Sequence, residues 1–180
     1  MPINTLFQNE RISLMPFTQA TGEINYGWSN SPFGQCLIFT KSKILVGVAF
    51  KNKWSSDQIE IDMISTWRES KIDFIPTNSN DIAEQIFFNN SKINIAFDGS
   101  PLQTKVWRAL LDIPKGTTAT YTDIACAVGY PNAVRAVASA IGKNPIAWLI
   151  PCHRVLQKSG GYGGYRWGLD IKSRMLSFET

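Results

Sequence analysis

The sequence is poor in several residue types, and each shortage excludes a class of protein. One histidine and three cysteines are spread over 180 residues, and no Cys-x-x-Cys pair occurs. A structural zinc site of the usual kind needs four such ligands, so we expect no metal site. An odd number of cysteines at wide spacing also argues against a disulfide framework. The chain is therefore expected to be reduced and free of metal.

Long apolar runs and a basic leader are also missing. No apolar stretch reaches the roughly 18 residues of a membrane span, and the first residues lack the basic-then-apolar order of a signal peptide. We therefore expect an intracellular protein outside the membrane. Charged residues make up only 18% of the chain, and a formal net charge of +4 is compatible with a polyanionic partner without being diagnostic.

Hydrophobic residues make up 44% of the chain, which is enough for a packed core. The first half alternates strand and helix patterns and predicts a mixed α/β domain. Two β-rich runs flank Lys41-Ser42, where we expect a hairpin. Strands are predicted over 23–28, 35–40, 43–50 and 92–97, and helices over 56–69 and 80–90.

The strand pattern fades after residue 98, so we expect two domains, 1–98 and 99–180. The second domain opens with a helix that starts at Pro101. Ser100 and Gln103 form a predicted capping box at its beginning. Helix patterns with clear caps continue from there, which predicts a mostly α domain.

Two short helices are predicted after residue 119. Thr120 and Asp123 are typical of an N-terminal cap, and Gly129 is typical of a helix end. Pro131-Asn132 is expected to start the second helix after a three-residue turn. Such a pair is the outline of a helix-turn-helix.

The second of these helices has two different faces. Val134, Val137 and Ile141 are expected to pack inward. The other side is almost entirely small and carries Ala133, Arg135, Ala136, Ala138, Ser139 and Gly142. Close approach to a partner surface and tight packing on a neighbouring helix both explain this face.

Near the C-terminus the one histidine directly follows a cysteine, at Cys152-His153. A buried cysteine beside a hydrogen-bonded histidine, a metal site with too few partners, and a thiolate nucleophile are the three interpretations. For the third, the two side chains need a turn or a bridging water, because adjacent residues of extended backbone point apart. Asp170 or Glu179 could orient the imidazole. The glycine-rich stretch 159–168 predicts a pliant loop that covers a site or contacts a base or phosphate.

These residues resemble the O6-alkylguanine-DNA alkyltransferases, also called methylated-DNA–protein-cysteine methyltransferases. The likeness is closest to the bacterial stand-alone type, and in the first half it holds only in outline. The matching segments are "IPCHRV" (150–155), "QTKVW" (103–107), "TYTDIACAVGYPNAVRAV" (120–137), "NP" (144–145) and "GYRWGLDIK" (164–172). The resemblance implies a ribonuclease-H-like sheet with helices in the N-terminal domain and a winged-helix-like helix-turn-helix in the C-terminal one.

The resemblance also implies catalytic roles for five residues. Cys152 would accept the alkyl group. His153 would be the base, acting through a water and oriented by Glu179. Asn144 would brace the turn, and Tyr121 would donate a proton toward guanine N3.

Further contacts are implied with DNA and with the flipped base. Arg135 would fill the gap that the flipped nucleotide leaves. Small residues would let the second helix enter the minor groove. The remaining implied contacts are Ala133, Ala138 and Lys158 for DNA, backbone groups of Cys152, Val155 and Arg166 for the guanine edge, and Tyr165 for the pocket wall.

The activity implied is a single, irreversible transfer of an alkyl group from O6-alkylguanine, and from O4-alkylthymine, to Cys152. No cofactor would be needed, and a monomer acting on double-stranded DNA in the bacterial cytoplasm is expected. The alternative within the family is an alkyltransferase-like damage-binding protein, against which the cysteine argues. A plain helix-turn-helix regulator would have no use for the Cys-His pair, and a thiol hydrolase would need a distant histidine.

Overall fold

A computed structural model describes residues 11–17, 22–67, 72–89 and 91–180 of the chain. Contacts divide these residues into two units. The N-terminal unit contains Arg11–Asp98 together with Pro145–Ala147, and the C-terminal unit contains Gly99–Asn144 and Trp148–Thr180. The short segment Pro145–Ala147 thus belongs to the first unit although it follows the second helix pair in sequence.

The N-terminal unit is built on a six-stranded mixed sheet with helices, as the α/β prediction requires. The strand order is β1-β6-β4-β3-β2-β5, where β2, β3 and β4 form an antiparallel meander and β1, β5 and β6 add in parallel. The strands are β1 (Ile12–Leu14), β2 (Gly22–Ser31), β3 (Gly34–Lys41), β4 (Ile44–Phe50), β5 (Ile72–Pro76) and β6 (Ile93–Ile95), and the helices are α1 (Ser56–Ile64) and α2 (Asn80–Phe87).

The predicted hairpin joins β3 and β4, with its turn one residue later than expected. Ser42 and Lys43 both have left-handed φ angles, of 49° and 66°, as a two-residue hairpin turn requires. The prediction of one helix over 56–69 was too long. The α-helix ends at Ile64 and a 3-10 turn, Ser65–Trp67, follows, because the Ser65 hydroxyl donates to the Asp62 carbonyl, 2.7 Å away. Residues 68 and 69 lie outside the described part of the chain.

The segment Pro145–Ala147 pairs with β4 inside this unit. The Val48 amide donates to the Pro145 carbonyl at 2.9 Å, and the Ala147 amide donates to the Val48 carbonyl at 3.0 Å. Val48 and Ile146 are both completely buried. The three residues that precede Trp148 are therefore held by backbone hydrogen bonds and by an apolar core.

The C-terminal unit is mostly helical. Two very short strands pair in parallel next to a 3-10 turn at Cys152–Arg154. The elements are α3 (Pro101–Leu111), β7 (Ala119–Thr120), α4 (Tyr121–Ala127), α5 (Val134–Gly142), β8 (Val155–Leu156) and α6 (Leu169–Glu179). The Trp107 indole nitrogen donates to the Ala140 carbonyl at 2.9 Å and ties α3 to α5.

The predicted caps are confirmed. Ser100 with Gln103 and Thr120 with Asp123 each form a reciprocal capping box. Gly129, at φ +82°, ends α4 in a Schellman motif, in which the next amide bonds back to Ala125.

The prediction that Pro131-Asn132 starts the second helix was wrong, since α5 begins at Val134. The Ala133 amide bonds the Tyr130 carbonyl at 2.9 Å, so the proline is the second residue of a β-turn, a position that its fixed φ favours. In the described ranges, no helix combines the length and the apolar character needed to cross a membrane.

Candidate active site

The thiol of Cys152 lies at the start of the 3-10 turn Cys152–Arg154, where the side chain is 7% exposed. The buried Asn144 donates from Nδ2 both to the Cys152 sulfur, at 3.1 Å, and to the Ile150 carbonyl, at 2.8 Å. One amide group therefore contacts the thiol and the backbone that carries it. The structure brings Asn144 to the place where the resemblance expects it.

Burial favours the protonated form of the Cys152 thiol. Burial raises the pKa of the Cys152 thiol above its ordinary value. The hydrogen bond from Asn144, the charge of Lys172 and a hydrogen bond with Tyr165 act in the opposite direction without overcoming the burial. A reaction that needs the thiolate therefore needs a base close by.

His153 is completely buried and is held at one nitrogen. Its Nε2 lies 3.0 Å from Oε1 of Glu179, on the last turn of α6. A carboxylate only accepts hydrogen bonds, so Nε2 carries the proton and Nδ1 is left as the basic nitrogen. Nδ1 is buried and makes no hydrogen bond to any described residue. Burial lowers the pKa of His153 while Glu179 raises it, so the neutral, proton-accepting form dominates near neutral pH.

Arg154 is a part of the site that the sequence analysis missed. Its Nη2 lies 2.6 Å from Oε1 of Glu179, its Nε 3.0 Å from Oε2, and its Nη1 2.5 Å from the Ile113 carbonyl. Burial alone would raise the pKa of Glu179, but the hydrogen bonds and charges of His153 and Arg154 outweigh it and hold that pKa at about 2. Glu179 is therefore a fixed negative charge that binds two neighbours of the thiol.

Lys172 was also missed. It is completely buried, and its Nζ donates to the carbonyls of Val155, at 2.7 Å, and Tyr162. Burial lowers the pKa of Lys172 to about 8, and the charge of Cys152 opposes that shift. The ammonium links α6 to the backbone on both sides of the glycine-rich loop.

A cavity of about 640 Å³ opens onto the thiol. Residues of α5 form one side, and the glycine-rich loop forms the other. The lining contains Tyr121, Val134, Arg135, Ala138, Ile141, Gly142, Asn144, Cys152, Gln157, Gly163, Gly164, Tyr165, Arg166 and Trp167. Val134 is half-buried and lines this cavity instead of packing fully inward as predicted. Ile141 is buried as predicted and lines the cavity as well.

Two tyrosines line this cavity. The Tyr121 hydroxyl lies 3.5 Å from the Gly164 carbonyl, and burial followed by the charge of Cys152 raises its pKa. The Tyr165 hydroxyl bonds the Cys152 thiol and lies 3.2 Å from the Met175 sulfur. The glycine at 163, with φ +65°, lets the loop pass close to Tyr121, since a Cβ there would lie 2.9 Å from the tyrosine oxygen.

Other predicted residues lie at the edge of the site or outside it. Arg166 lines the cavity and stacks on the Trp167 ring at 4.8 Å. Val155 is fully buried in β8 outside the lining, and its carbonyl already accepts one hydrogen bond from Lys172. Lys158 is exposed near Asp123, and Ala133 is half-buried just before α5. In the part of the chain that the structure describes, no group of three or more His, Cys, Asp or Glu residues could hold a metal ion.

The chain is similar to known proteins in sequence and in fold. Residues 101–180 match the family model described as the 6-O-methylguanine DNA methyltransferase, DNA binding domain. The chain is 37% identical over 160 residues to the methylated-DNA–protein-cysteine methyltransferase of Methanosarcina barkeri, a match that covers 86% of this chain and 96% of that protein. The chain belongs to the methylated-DNA–protein-cysteine methyltransferase family.

Two further relatives agree with this membership. A probable methyltransferase of the same family from Acanthamoeba polyphaga mimivirus is 52% identical over 93 residues, and the match covers 52% of this chain and 60% of the viral protein. The crystal structure of Mycobacterium tuberculosis OGT in complex with DNA superposes with a TM-score of 0.68 at 29% identity, and covers 86% of this chain and 92% of that one. The resemblance to this methyltransferase family is thus confirmed, and so is the mixed α/β fold class.

Proposed function

We propose that this methyltransferase repairs DNA by moving the alkyl group of O6-alkylguanine, or of O4-alkylthymine, onto Cys152. The observation that carries the proposal is the arrangement of Cys152, His153 and Glu179 below a cavity large enough for a purine base. A protonated thiol, a neutral imidazole and a permanently charged carboxylate are the three groups that an activated cysteine nucleophile needs. No cofactor is part of the proposal.

The thiol proton would leave through a water to Nδ1 of His153. Glu179 then stabilises the imidazolium that forms. The thiolate attacks the alkyl carbon, so the carbon–sulfur bond forms as the bond to O6 breaks, and the electron pair of that bond moves into the base. Tyr121 donates a proton toward guanine N3, and the proton held by His153 replaces it through solvent. The products are guanine and a thioether, which has no easy hydrolytic exit, so each molecule acts once.

The base would reach the thiol by flipping out of double-stranded DNA. Arg135, at the start of α5 and on the cavity rim, would fill the gap in the helix. Ala133 and Ala138 let α5 enter a minor groove about 6 Å wide, while Lys158 contacts the backbone. The backbones of Cys152, Val155 and Arg166 would read the guanine edge, and Tyr165 would wall the pocket.

We also propose a ribonuclease-H-like sheet in the N-terminal unit and a winged-helix-like helix-turn-helix in the C-terminal unit. The antiparallel meander β2–β4 with the parallel β5 beside β2 supports a ribonuclease-H-like sheet. The packed pair α4 and α5, followed by the short strands, supports a winged-helix-like helix-turn-helix. Residues 1–98 would form a supporting domain, and residues 99–180 would form the domain that transfers the alkyl group and binds DNA. We propose a monomer in a reducing cytoplasm, since the mechanism requires a free thiol.

The test is to incubate the protein with duplex DNA that contains O6-methylguanine and to weigh its peptides. We expect one addition of about 14 Da on the peptide that contains Cys152. Cys152→Ala should abolish the addition and leave DNA binding largely intact. Cys126→Ser is the matched control, because Cys126 is an exposed free thiol and its loss should change nothing.

Two results would contradict the mechanism. One is methylation of Cys126 in place of Cys152. The other is repair of more than one lesion by each protein molecule. Tight binding of damaged DNA with no mass addition would favour the damage-binding alternative.

A further inference from the structure

Trp148 lies flat against the catalytic imidazole. The centroids of its indole and of the His153 ring are 5.2 Å apart, and the two planes are inclined by only 14°. Phe178 packs edge-on against the indole, with the ring centroids 5.9 Å apart and the planes inclined by 71°. The indole is partly exposed and His153 is completely buried, so the tryptophan separates the imidazole from solvent on one face.

The backbone of Trp148 has an unusual conformation. Its φ angle of +74° lies in the left-handed region, which residues other than glycine seldom adopt. The residues directly before it are held to Val48 by two backbone hydrogen bonds. Such a backbone conformation persists only where the surrounding structure holds it, and residues of this kind cluster at functional sites.

Stacking restricts a motion of the imidazole that its hydrogen bond leaves free. The bond from Nε2 to Glu179 fixes one corner of the ring, but the ring could still twist about that bond. Contact with a parallel indole removes this freedom. The basic Nδ1 then keeps one direction, which a proton relay through a single water requires.

The indole face also favours the charged form of the ring. An aromatic face attracts a cation, and tryptophan does so most strongly. The other charged or titratable groups around His153 are Glu179 and Lys172 of α6, Arg154 in the same turn, and the neighbouring Cys152. Glu179 favours the imidazolium, whereas Arg154 and Lys172 oppose it.

We propose that Trp148 is a positioning residue for the alkyl transfer: it holds the plane of His153 and stabilises the imidazolium that forms when Cys152 loses its proton. This inference rests on the proposed function. Trp148 stacks on His153 and is not among the residues that line the cavity, so it acts through His153.

The single histidine makes the test direct, because every imidazole signal in a nuclear magnetic resonance spectrum comes from His153. The variants are Trp148→Leu, which removes the aromatic face without adding a branch at Cβ, and Trp148→Phe, which restores a smaller one. Trp54→Leu is the matched control, since Trp54 is a half-buried tryptophan of the N-terminal unit. The imidazole signals are followed from about pH 4 to about pH 8, and the single-turnover rate is measured with alkylated duplex DNA and with free O6-benzylguanine.

In Trp148→Leu we expect the imidazole signals to lose the shift caused by the indole ring. They should also titrate at lower pH, because leucine keeps an apolar cover over the ring but offers no aromatic face to the cation. The transfer rate should fall about five- to tenfold with both substrates. Trp148→Phe should recover part of both changes, and Trp54→Leu should match the unaltered protein. A lower rate with an unchanged titration would overturn the inference, as would an unchanged rate. If the unaltered protein shows no addition on Cys152, the proposed function fails, whereas the titration still tests the stack by itself.

Discussion

Replacing Glu179 with glutamine should destabilise the protein in a way that depends on pH. Glutamine has nearly the shape of a protonated glutamate, so it keeps the packing but removes the charge that Arg154 and His153 bind. The Glu179 side chain is only 1% exposed, which leaves water little opportunity to replace that charge. Arg154 would become a buried cation without a counter-ion, a situation that commonly costs about 3–5 kcal/mol.

The pKa of Glu179 gives a second value for the free energy by which its charge stabilises the fold. The carboxyl has an ordinary pKa of 4.5 and one of about 2 in the folded protein. That difference, at about 1.4 kcal/mol per pH unit, corresponds to about 3 kcal/mol of folding free energy. Because the folded-state pKa is the lower one, this stabilisation is fully present above about pH 4.5 and is lost as the pH falls toward about 2.

The assay is urea unfolding of the unaltered protein and of Glu179→Gln, followed by tryptophan fluorescence at several pH values. Near neutral pH the variant should be less stable by about 3 kcal/mol, and its Tm lower by roughly 6–12 °C. The difference in unfolding free energy between the two proteins should shrink steadily below about pH 4.5. Asp170→Asn is the matched control on the same helix: this carboxylate is 78% exposed and lies 3.7 Å from Arg174, so its loss should cost less than about 0.5 kcal/mol. A gap that is the same near pH 3 as near pH 7 would refute the reasoning.

Three other changes test the cavity. Asn144→Ala removes the donor to the Cys152 sulfur, so transfer to the thiol should slow roughly 10- to 100-fold, and the rate should rise only at higher pH than in the unaltered protein. Gly163→Ala would place a Cβ 2.9 Å from the Tyr121 hydroxyl at a φ of +65°, so we expect it to slow the transfer. In a protein that already carries Tyr121→Phe, the same change should reduce the transfer rate by a smaller factor. Arg135→Ala should slow repair of duplex DNA far more than reaction with free O6-benzylguanine, and equal losses would exclude its role in flipping.

Local patterns allowed most of the secondary structure to be predicted. Two of these patterns are the capping boxes at Ser100 and Thr120, and a third is the glycine that ends α4. Each depends on only four or five consecutive residues. Their hydrogen bonds join residues that are close in the chain, so these patterns can be recognised without knowing the tertiary structure. Two errors came where a nearby group competed with the helix: the Ser65 hydroxyl bonds back into the end of α1, and a β-turn at Pro131 precedes α5. The strands β1 and β5 were not predicted.

The sequence by itself determined that a thiol and the one imidazole are neighbours, that a helix pair precedes them and that a glycine loop follows. It also restricted the carboxylate to Asp170 or Glu179. Only the tertiary structure chose Glu179, which bonds His153 across 26 positions, and showed that Arg154 shares it. Trp148 and Lys172 could not be assigned either, because stacking and burial depend on which surfaces meet when α6 packs on the turn. The reactive pair is adjacent in the chain, but the groups that set its charge state are brought to it by folding.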